Sequence, residues 1–125
     1  MKPNLFRLGT AFAIIFLAAL CPMLALAHNQ VLKTEPAANA ALKTAPAHVE
    51  LWLSEKPDLT ISKIAVKGPS GPVEMGPIHS LPDKSLVADF KGKLSNGQYV
   101  VNWQTAGDDG HVSKGQFSFT VKSGL

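Results

Sequence analysis

Val49-Glu50-Leu51-Trp52-Leu53-Ser54 is the stretch that decides the fold, because its side chains alternate in character without a break. The apolar side chains of Val49, Leu51 and Leu53 would lie on one face of an extended chain, and the residues between them on the other. A period of two is typical of a strand that is half buried in a sheet. The stretch therefore predicts a β-strand with one face in a hydrophobic core.

Similar short runs lie on both sides of this stretch, separated by turn residues. Asn96-Gly97 predicts a tight turn into a strand, and residues 68–82 are expected to form a turn followed by an irregular segment. The apolar phase of residues 59–66 slips between Ile61 and Ile64, which a β-bulge near Ser62 and Lys63 would explain. Bounds can be given for six of the predicted strands: residues 31–34, 49–54, 59–66, 86–90, 99–105 and 115–121.

No helical period persists over three turns after residue 27, and no internal repeat is present. About seven short strands with turns at regular intervals indicate an antiparallel, immunoglobulin-like β-sandwich with Greek-key connections. We expect Trp52, Tyr99, Trp103, Phe117 and Phe119 to lie in or near its core. The fold class is therefore predicted as all-β, with a single domain.

The first 27 residues have the pattern of a secretory signal peptide. Lys2 and Arg7 precede an apolar run over residues 8–20, and Ala25 and Ala27 have the A-x-A spacing that signal peptidase accepts. Cleavage after Ala27 would leave residues 28–125 as the mature domain, exported to a bacterial periplasm. An uncleaved anchor is the alternative, although the run is shorter than the roughly 20 residues of a membrane-spanning helix.

Charge and cysteine content narrow the class of protein further. Two of the twelve basic residues lie in the predicted signal peptide, so ten lysines nearly balance nine acidic residues in the mature chain. That chain has no arginine and no clustered lysines in its sequence, which argues against a nucleic-acid interface. The only cysteine of the 125 residues, Cys21, also lies in the predicted signal peptide. The mature domain is therefore expected to have no disulfide, although the periplasm is an oxidising compartment.

His28 would become the first residue of the mature chain and would carry a free α-amine beside its imidazole. Copper(II) favours nitrogen and oxygen ligands in a tetragonal plane, and such a residue offers two nitrogens. The third position of that chain is Gln30, so chelation through a His at position three and deprotonated backbone amides is excluded. Any further ligands must come from distant parts of the fold.

Asp109-Gly110-His111 is the second candidate for metal binding. Residues two apart on an extended chain point the same way, so Asp109 and His111 can approach one point. Taken alone, the motif is more typical of a turn capped by the Asp with a solvated His. Together with His28, it gives an amine, two imidazoles and a carboxylate, which suit copper(II); zinc would use the same donors in a tetrahedral arrangement.

The mature chain resembles the CopC family of periplasmic copper-resistance and copper-carrier proteins. The likeness covers the predicted terminal His and residues 35–40 (EPAANA), 53–55 (LSE), 94–103 (LSNGQYVVNW), 109–111 (DGH) and 115–121 (GQFSFTV). It implies one copper(II) ion per chain, held by His28, Asp109, His111 and, more weakly, Glu55. Glu55 has three open roles: a ligand, an acceptor that orients a ligand imidazole, or a charge at a strand end.

The resemblance also implies a periplasmic carrier or buffer without enzymatic activity. An inner-membrane copper transporter of the CopD type would be its partner, and we expect a monomer. Family members with a copper(I) site carry a Met-rich loop, whereas this mature chain has only Met75, with His79 four residues on. These two residues are too few for a tight copper(I) site, and His48 has no partner motif and is expected to be solvated.

Two other functions compete with the carrier. A terminal His that binds through its amine and ring, together with a second His, resembles the histidine brace of copper monooxygenases. No broad substrate surface is evident in the sequence, and an Asp ligand would favour the oxidised metal. The third alternative is a metal-free immunoglobulin-like module for adhesion or assembly.

Overall fold

The computed structural model describes residues 29–124, which fold into nine strands in two packed sheets. The predicted signal peptide and His28 lie outside the described residues. The strands are β1 (Val31–Glu35), β2 (Ala40–Leu42), β3 (His48–Leu53), β4 (Lys63–Gly68), β5 (Gly71–Val73), β6 (His79–Leu81), β7 (Ser85–Asp89), β8 (Gly97–Ala106) and β9 (Val112–Val121). No helix occurs among residues 29–124, so none of these residues forms a helix that could span a bilayer.

The two sheets form the predicted all-β sandwich. One sheet has the order β1-β3-β7-β6, and the other has the order β2-β9-β8-β4-β5. All strand pairs are antiparallel except β2 with β9, which run parallel. The chain crosses between the sheets after β1, β2, β3, β5 and β7, so the two layers are covalently interleaved. The fold class expected from the sequence is confirmed.

The core lies between the inner faces of the sheets. Val49, Leu51 and Leu53 of β3 are each at most 2% exposed, as their alternation predicts. Tyr99 and Phe119 stack with ring centroids 5.3 Å apart, so neighbouring strands β8 and β9 contribute an aromatic pair. The other buried members of the core are Ile64, Val66, Leu86, Ala88, Leu94, Val101 and Val121.

The aromatic residues divide into two groups. Trp103 and Phe117 are partly buried against the core, as expected. Trp52 is half buried among polar groups: its Nε1 donates to Asp83 Oδ2 (2.9 Å), and Lys33 Nζ lies 4.6 Å from its ring centre. Trp52 therefore lies outside the core, on the face of β3 opposite Leu51 and Leu53.

The strand predicted over residues 59–66 is wrong in its first half. The N–H groups of Ile61 and Ser62 both donate to the carbonyl of Asp58, at 3.2 and 3.0 Å, and this turn delays β4 until Lys63. The slip in apolar phase therefore comes from a turn and not from a bulge in a strand. The register shift that the structure shows lies in the other sheet, in β1 between Val31 and Lys33.

The ends of the sandwich differ in the loops that close them. At the β8–β9 end, the turn after Ala106 meets the loop of residues 54–62, because Asp58 N–H donates to the Ala106 carbonyl (2.9 Å). At the β7–β8 end, residues 90–96 run beside the connection between β2 and β3, and Phe90 N–H donates to the Ala47 carbonyl (3.0 Å).

Candidate metal centre

Asp109 and His111 lie in contact at the β8–β9 end. Oδ1 of Asp109 accepts the backbone N–H of His111 (3.0 Å), and its Oδ2 lies 3.1 Å from Nδ1 of the imidazole. When Nδ1 carries the proton, it donates to this carboxylate and leaves Nε2 with its lone pair. The His111 side chain is about half exposed and that of Asp109 about one third exposed. The motif thus presents an oriented imidazole and a carboxylate to solvent.

The turn between β8 and β9 creates this contact. Gly110 N–H donates to the Gly107 carbonyl (3.1 Å), and Gly110 has a φ of +75°, a conformation that glycine adopts without steric cost. Residues 107–111 are therefore not extended, so the expectation that an extended chain brings Asp109 and His111 together is wrong: a turn makes their contact. Asp109 caps the turn, as an Asp in this position commonly does, and the cap itself brings the carboxylate to His111.

Asn29 is held firmly at the same end. It is 1% exposed, its Nδ2 donates to Thr105 Oγ1 (3.4 Å), and its Oδ1 accepts the Glu55 N–H (2.9 Å). The following residue is also paired: Gln30 N–H donates to Ser54 Oγ (2.8 Å). Asn29 therefore ties the start of the described chain both to the end of β3 and to the end of β8.

A small set of buried hydroxyl groups supports Asn29. Ser62 Oγ donates to Thr105 Oγ1 (3.4 Å), and both residues are at most 5% exposed. Ser54 Oγ donates to Asn29 Oδ1 (3.4 Å). The sequence analysis missed these residues, because they are small polar side chains separated by up to 76 positions and brought together only by the fold.

Glu55 lies against the start of the β8–β9 turn. A methyl group built on Gly107 would come within 2.2 Å of Glu55 Oε1 and 3.1 Å of its Cδ, so the carboxylate packs on the glycine backbone. Among residues 29–124, no three His, Cys, Asp or Glu side chains are grouped closely enough to hold a metal ion. Glu55 thus shares this end of the sandwich with Asp109 and His111 without forming a three-residue site with them.

Asp58 adds a further carboxylate to the β8–β9 end. The hydroxyl and the N–H of Thr60 both donate to its Oδ1, at 2.6 and 2.9 Å. These hydrogen bonds, that of the hydroxyl first, hold the pKa of Asp58 below its ordinary value of 3.8. Asp58 therefore stays negatively charged at any pH near neutrality.

The remaining candidate residues lie elsewhere. Met75 packs partly buried against the core and forms a bridge with Phe90, whereas His79 is exposed at the start of β6. His48 is half exposed, as expected of a solvated residue, yet its Nε2 lies 3.6 Å from Oε1 of the mostly buried Glu50. Neither histidine belongs to a group of three possible metal ligands within residues 29–124.

Comparison with known proteins gives matches over most of the chain. Residues 31–122 match the family model described as the CopC domain. Copper resistance protein C of Xanthomonas campestris pv. juglandis is 31% identical over 126 residues, spanning 94% of this chain and 98% of that protein. Protein YobA of Escherichia coli K12 is 32% identical over 103 residues, spanning 77% of this chain and 80% of that protein.

Solved structures agree with this match. The crystal structure of PcoC, a methionine-rich copper resistance protein from Escherichia coli, superimposes with a TM-score of 0.70 at 29% identity and covers 77% of this chain and 100% of PcoC. CopC from Methylosinus trichosporium OB3b also gives 0.70, at 25% identity, covering 78% of this chain and 97% of that protein.

Proposed function

The chain belongs to the CopC family, and on that premise we propose that it is a periplasmic carrier or buffer of copper(II) in copper resistance or homeostasis. In this proposal, residues 1–27 are a signal peptide, and residues 28–125 form the mature domain. One copper(II) ion is its cargo, held by the amine and imidazole of His28 together with Asp109 and His111. A copper transporter of the CopD type in the inner membrane is the proposed partner.

The anchoring of Asn29 is the observation that carries this proposal. Asn29 is one peptide bond from His28, and its buried side chain is fixed to Thr105 at the end of β8. Four residues after Thr105 the chain reaches Asp109, whose carboxylate contacts His111. A terminal ligand attached to a fixed residue loses little freedom when it binds, and this supports a site formed by the terminus together with these two side chains.

The donor set fits copper(II) better than copper(I). Nitrogen and carboxylate oxygen ligands favour the oxidised ion, whereas the reduced ion favours thioethers and thiolates. The only methionine after residue 27 is Met75, and it packs against the core rather than at the β8–β9 end. We therefore propose copper(II) as the bound form and assign the protein no catalytic step.

Glu55 is proposed to act next to the ligands rather than as one of them. Its carboxylate lies on Gly107, and its own N–H is donated to Asn29, so it is fixed between the anchor and the turn. A carboxylate in that position can accept the ring N–H of a metal-bound imidazole, which fixes the ring and increases the basicity of the bound nitrogen. Direct ligation remains the alternative role for Glu55 in this proposal.

Copper(II) titrations of two forms of the protein test the proposal. One form begins at His28, as verified by intact mass, and the other retains Ala27 before it. The extra residue converts the terminal amine into an amide and removes one donor of the chelate, so we expect copper(II) affinity to fall by at least about 100-fold, or about 2.7 kcal/mol. Equal affinity of the two forms would reject the site.

Electron paramagnetic resonance of the same samples gives an independent measurement. We expect nitrogen couplings from the amine and the imidazoles in the form that begins at His28, and the loss of the amine coupling in the extended form. Matching circular dichroism spectra serve as the control, since the hydrogen bonds of Asn29 to Thr105 and Glu55 use no atom of residues 27 and 28. Copper(II) bound without the terminal imidazole would contradict the proposal.

A further inference from the structure

A cleft with a volume of about 660 Å³ lies at the β7–β8 end. Residues 43–47, between β2 and β3, form one wall, and residues 90–93, after β7, form the other. Volumes of this order are typical of sites that hold a small molecule or a short piece of chain. The cleft lies at the opposite end of the sandwich from Asp109 and His111.

The walls of this cleft are fixed by backbone hydrogen bonds. Phe90 N–H donates to the Ala47 carbonyl (3.0 Å), Lys91 N–H to the Glu74 carbonyl (3.2 Å), and Lys122 N–H to the Leu42 carbonyl (2.7 Å). The floor is apolar, because Ala45 and Phe90 line the cleft and also pack against the core. A preformed concave surface binds a ligand without first having to order its own loops.

The rim of the cleft is basic. Lys43, Lys91 and Lys93 all line it, and all three are exposed. Lys91 pairs with Glu74 at 3.5 Å, but both partners are more than half exposed, so this pair neutralises the rim only weakly. Lys43 and Lys93 enter no ion pair with any residue from 29 to 124.

We propose that this cleft binds an acidic peptide segment of a partner protein, in which carboxylates flank one bulky apolar side chain. The carboxylates would approach the three lysines, and the apolar side chain would cover the floor formed by Ala45 and Phe90. The concave shape favours a peptide over a lipid surface, because a flat bilayer would contact the lysines and leave the floor uncovered. This binding requires no metal and leaves the β8–β9 end accessible.

The probe is a terminally blocked peptide, Glu-Asp-Phe-Asp-Glu, added to the isotope-labelled protein that begins at His28. We expect amide chemical shifts to change at residues 43–47 and 90–93 and to stay constant at residues 107–111. A control peptide with Gln and Asn in place of the acids should bind at least about tenfold more weakly, and affinity for the acidic peptide should fall with added salt. Equal binding of the two peptides would overturn the proposal.

Paired lysine variants separate a local site from a general effect of charge. The double variant Lys43→Gln and Lys93→Gln should weaken acidic-peptide binding about tenfold. The matched control, Lys63→Gln with Lys114→Gln, removes the same charge from exposed positions on β4 and β9 and should change binding less than about twofold. If both double variants weakened peptide binding equally, net charge alone would explain the binding, and the proposal that the peptide binds in the cleft would be contradicted.

Two further measurements complete the test. Vesicles of phosphatidylglycerol and phosphatidylcholine replace the peptide in a sedimentation assay. Binding to the vesicles without binding to the peptide would contradict the proposed peptide ligand and indicate a membrane surface instead. Copper(II) titration of both double variants should match that of the unmodified protein. The copper(II) titration separates the two proposals, because peptide binding in the cleft can be contradicted without affecting the copper(II) site. The copper(II) site can likewise be contradicted without affecting the cleft.

Discussion

The two ends of the sandwich are built from the same two sheets, yet they carry opposite charge. At the β8–β9 end, residues 54–62 and 107–111 carry four carboxylates, Glu55, Asp58, Asp108 and Asp109, against one lysine, Lys56. At the β7–β8 end lie four lysines, Lys43, Lys91, Lys93 and Lys122. A sandwich separates its ends by the length of its strands, so one end can attract a cation while the other attracts an anion.

The ends also differ in what holds them together. At the β8–β9 end, backbone hydrogen bonds are joined by a buried set of side-chain bonds, in which Asn29 links the β3 and β8 ends with support from Ser62 and Thr105. At the β7–β8 end, the backbone hydrogen bonds are joined by exposed side-chain bonds between Asn96 and Ser123 and by aromatic packing, with Phe90 set edge-on against Phe119 at 6.5 Å. The first arrangement specifies the positions of polar groups, and the second provides a rigid apolar surface.

The largest expected effect distinguishes the histidine at the β8–β9 end from those elsewhere. His111→Ala removes one proposed ligand, and we expect copper(II) affinity to fall about 100-fold. His79→Ala is the matched control, because that side chain is also exposed but lies on β6. Both variants should keep their thermal stability within about 0.5 kcal/mol. Equal losses of affinity in competition titrations would remove the distinction between the ends.

A second prediction concerns the polar anchor. Asn29→Ala leaves the partly buried Glu55 N–H without its acceptor and removes one of the two donors to Thr105 Oγ1, so we expect the free energy of unfolding to fall by about 1–3 kcal/mol. Denaturant unfolding followed by circular dichroism measures this. The control Asn102→Ala, at an exposed position on β8, should cost less than about 0.5 kcal/mol. A loss at Asn29 no larger than at Asn102 would contradict the anchoring role.

The third prediction tests the role of Glu55 with two substitutions, one of Glu55 itself and one of the glycine on which its carboxylate packs. Glu55→Gln should lower copper(II) affinity about tenfold if the carboxylate orients a ligand imidazole. Gly107→Ala should have a similar effect, because its methyl group occupies the place of the Glu55 carboxylate and displaces it. The matched control is Gly92→Ala at the β7–β8 end, where an added methyl group meets no atom within 4 Å. Unchanged affinity in Gly107→Ala would argue against a role for Glu55 near the metal.

The smallest expected effect is a pH dependence at Asp58. The pKa of Asp58 in the folded state is held below 3.8, chiefly by the hydrogen bond from the Thr60 hydroxyl. The ionised carboxylate therefore makes its full contribution to stability when the pH is above 3.8. The stabilisation is lost as pH falls through the lower, folded-state pKa. The melting temperature of Thr60→Val should therefore fall below that of the unmodified protein at neutral pH, with the difference shrinking in acid. Thr60→Ser, which keeps a hydroxyl, is the control and should behave like the unmodified protein.

The sequence predicted the elements whose pattern is local. Strict alternation in β3 and a tight-turn signal before β8 identify strands that bury one face, and both appear in the structure. Strands β2, β5 and β6 were missed, because each has three residues and no alternation to recognise. β2 exists through its parallel pairing with residues 119–121 of β9, a contact that no local pattern contains.

The same division applies to the candidate site. Asp109 and His111 were found because they are two residues apart and chemically suited to a metal. Asn29 was not found, since an isolated Asn gives no signal until the fold brings Thr105 and Glu55 to it. Sequence patterns report side chains that could bind; the groups that position them are distant in the chain and are visible only in the folded protein.

The anchor at Asn29 has a consequence for biosynthesis. The hydrogen bonds of Asn29 to Thr105 and Glu55, and of Gln30 to Ser54, use no atom of residue 28, so a chain trimmed one residue too early or too late around that position would still contain all their donors and acceptors. Quality control that detects misfolding would then accept molecules that lack the proposed chelating terminus. The yield of competent carrier would depend on the precision of the peptidase, and the mass of the secreted product would be a better measure of it than any melting curve.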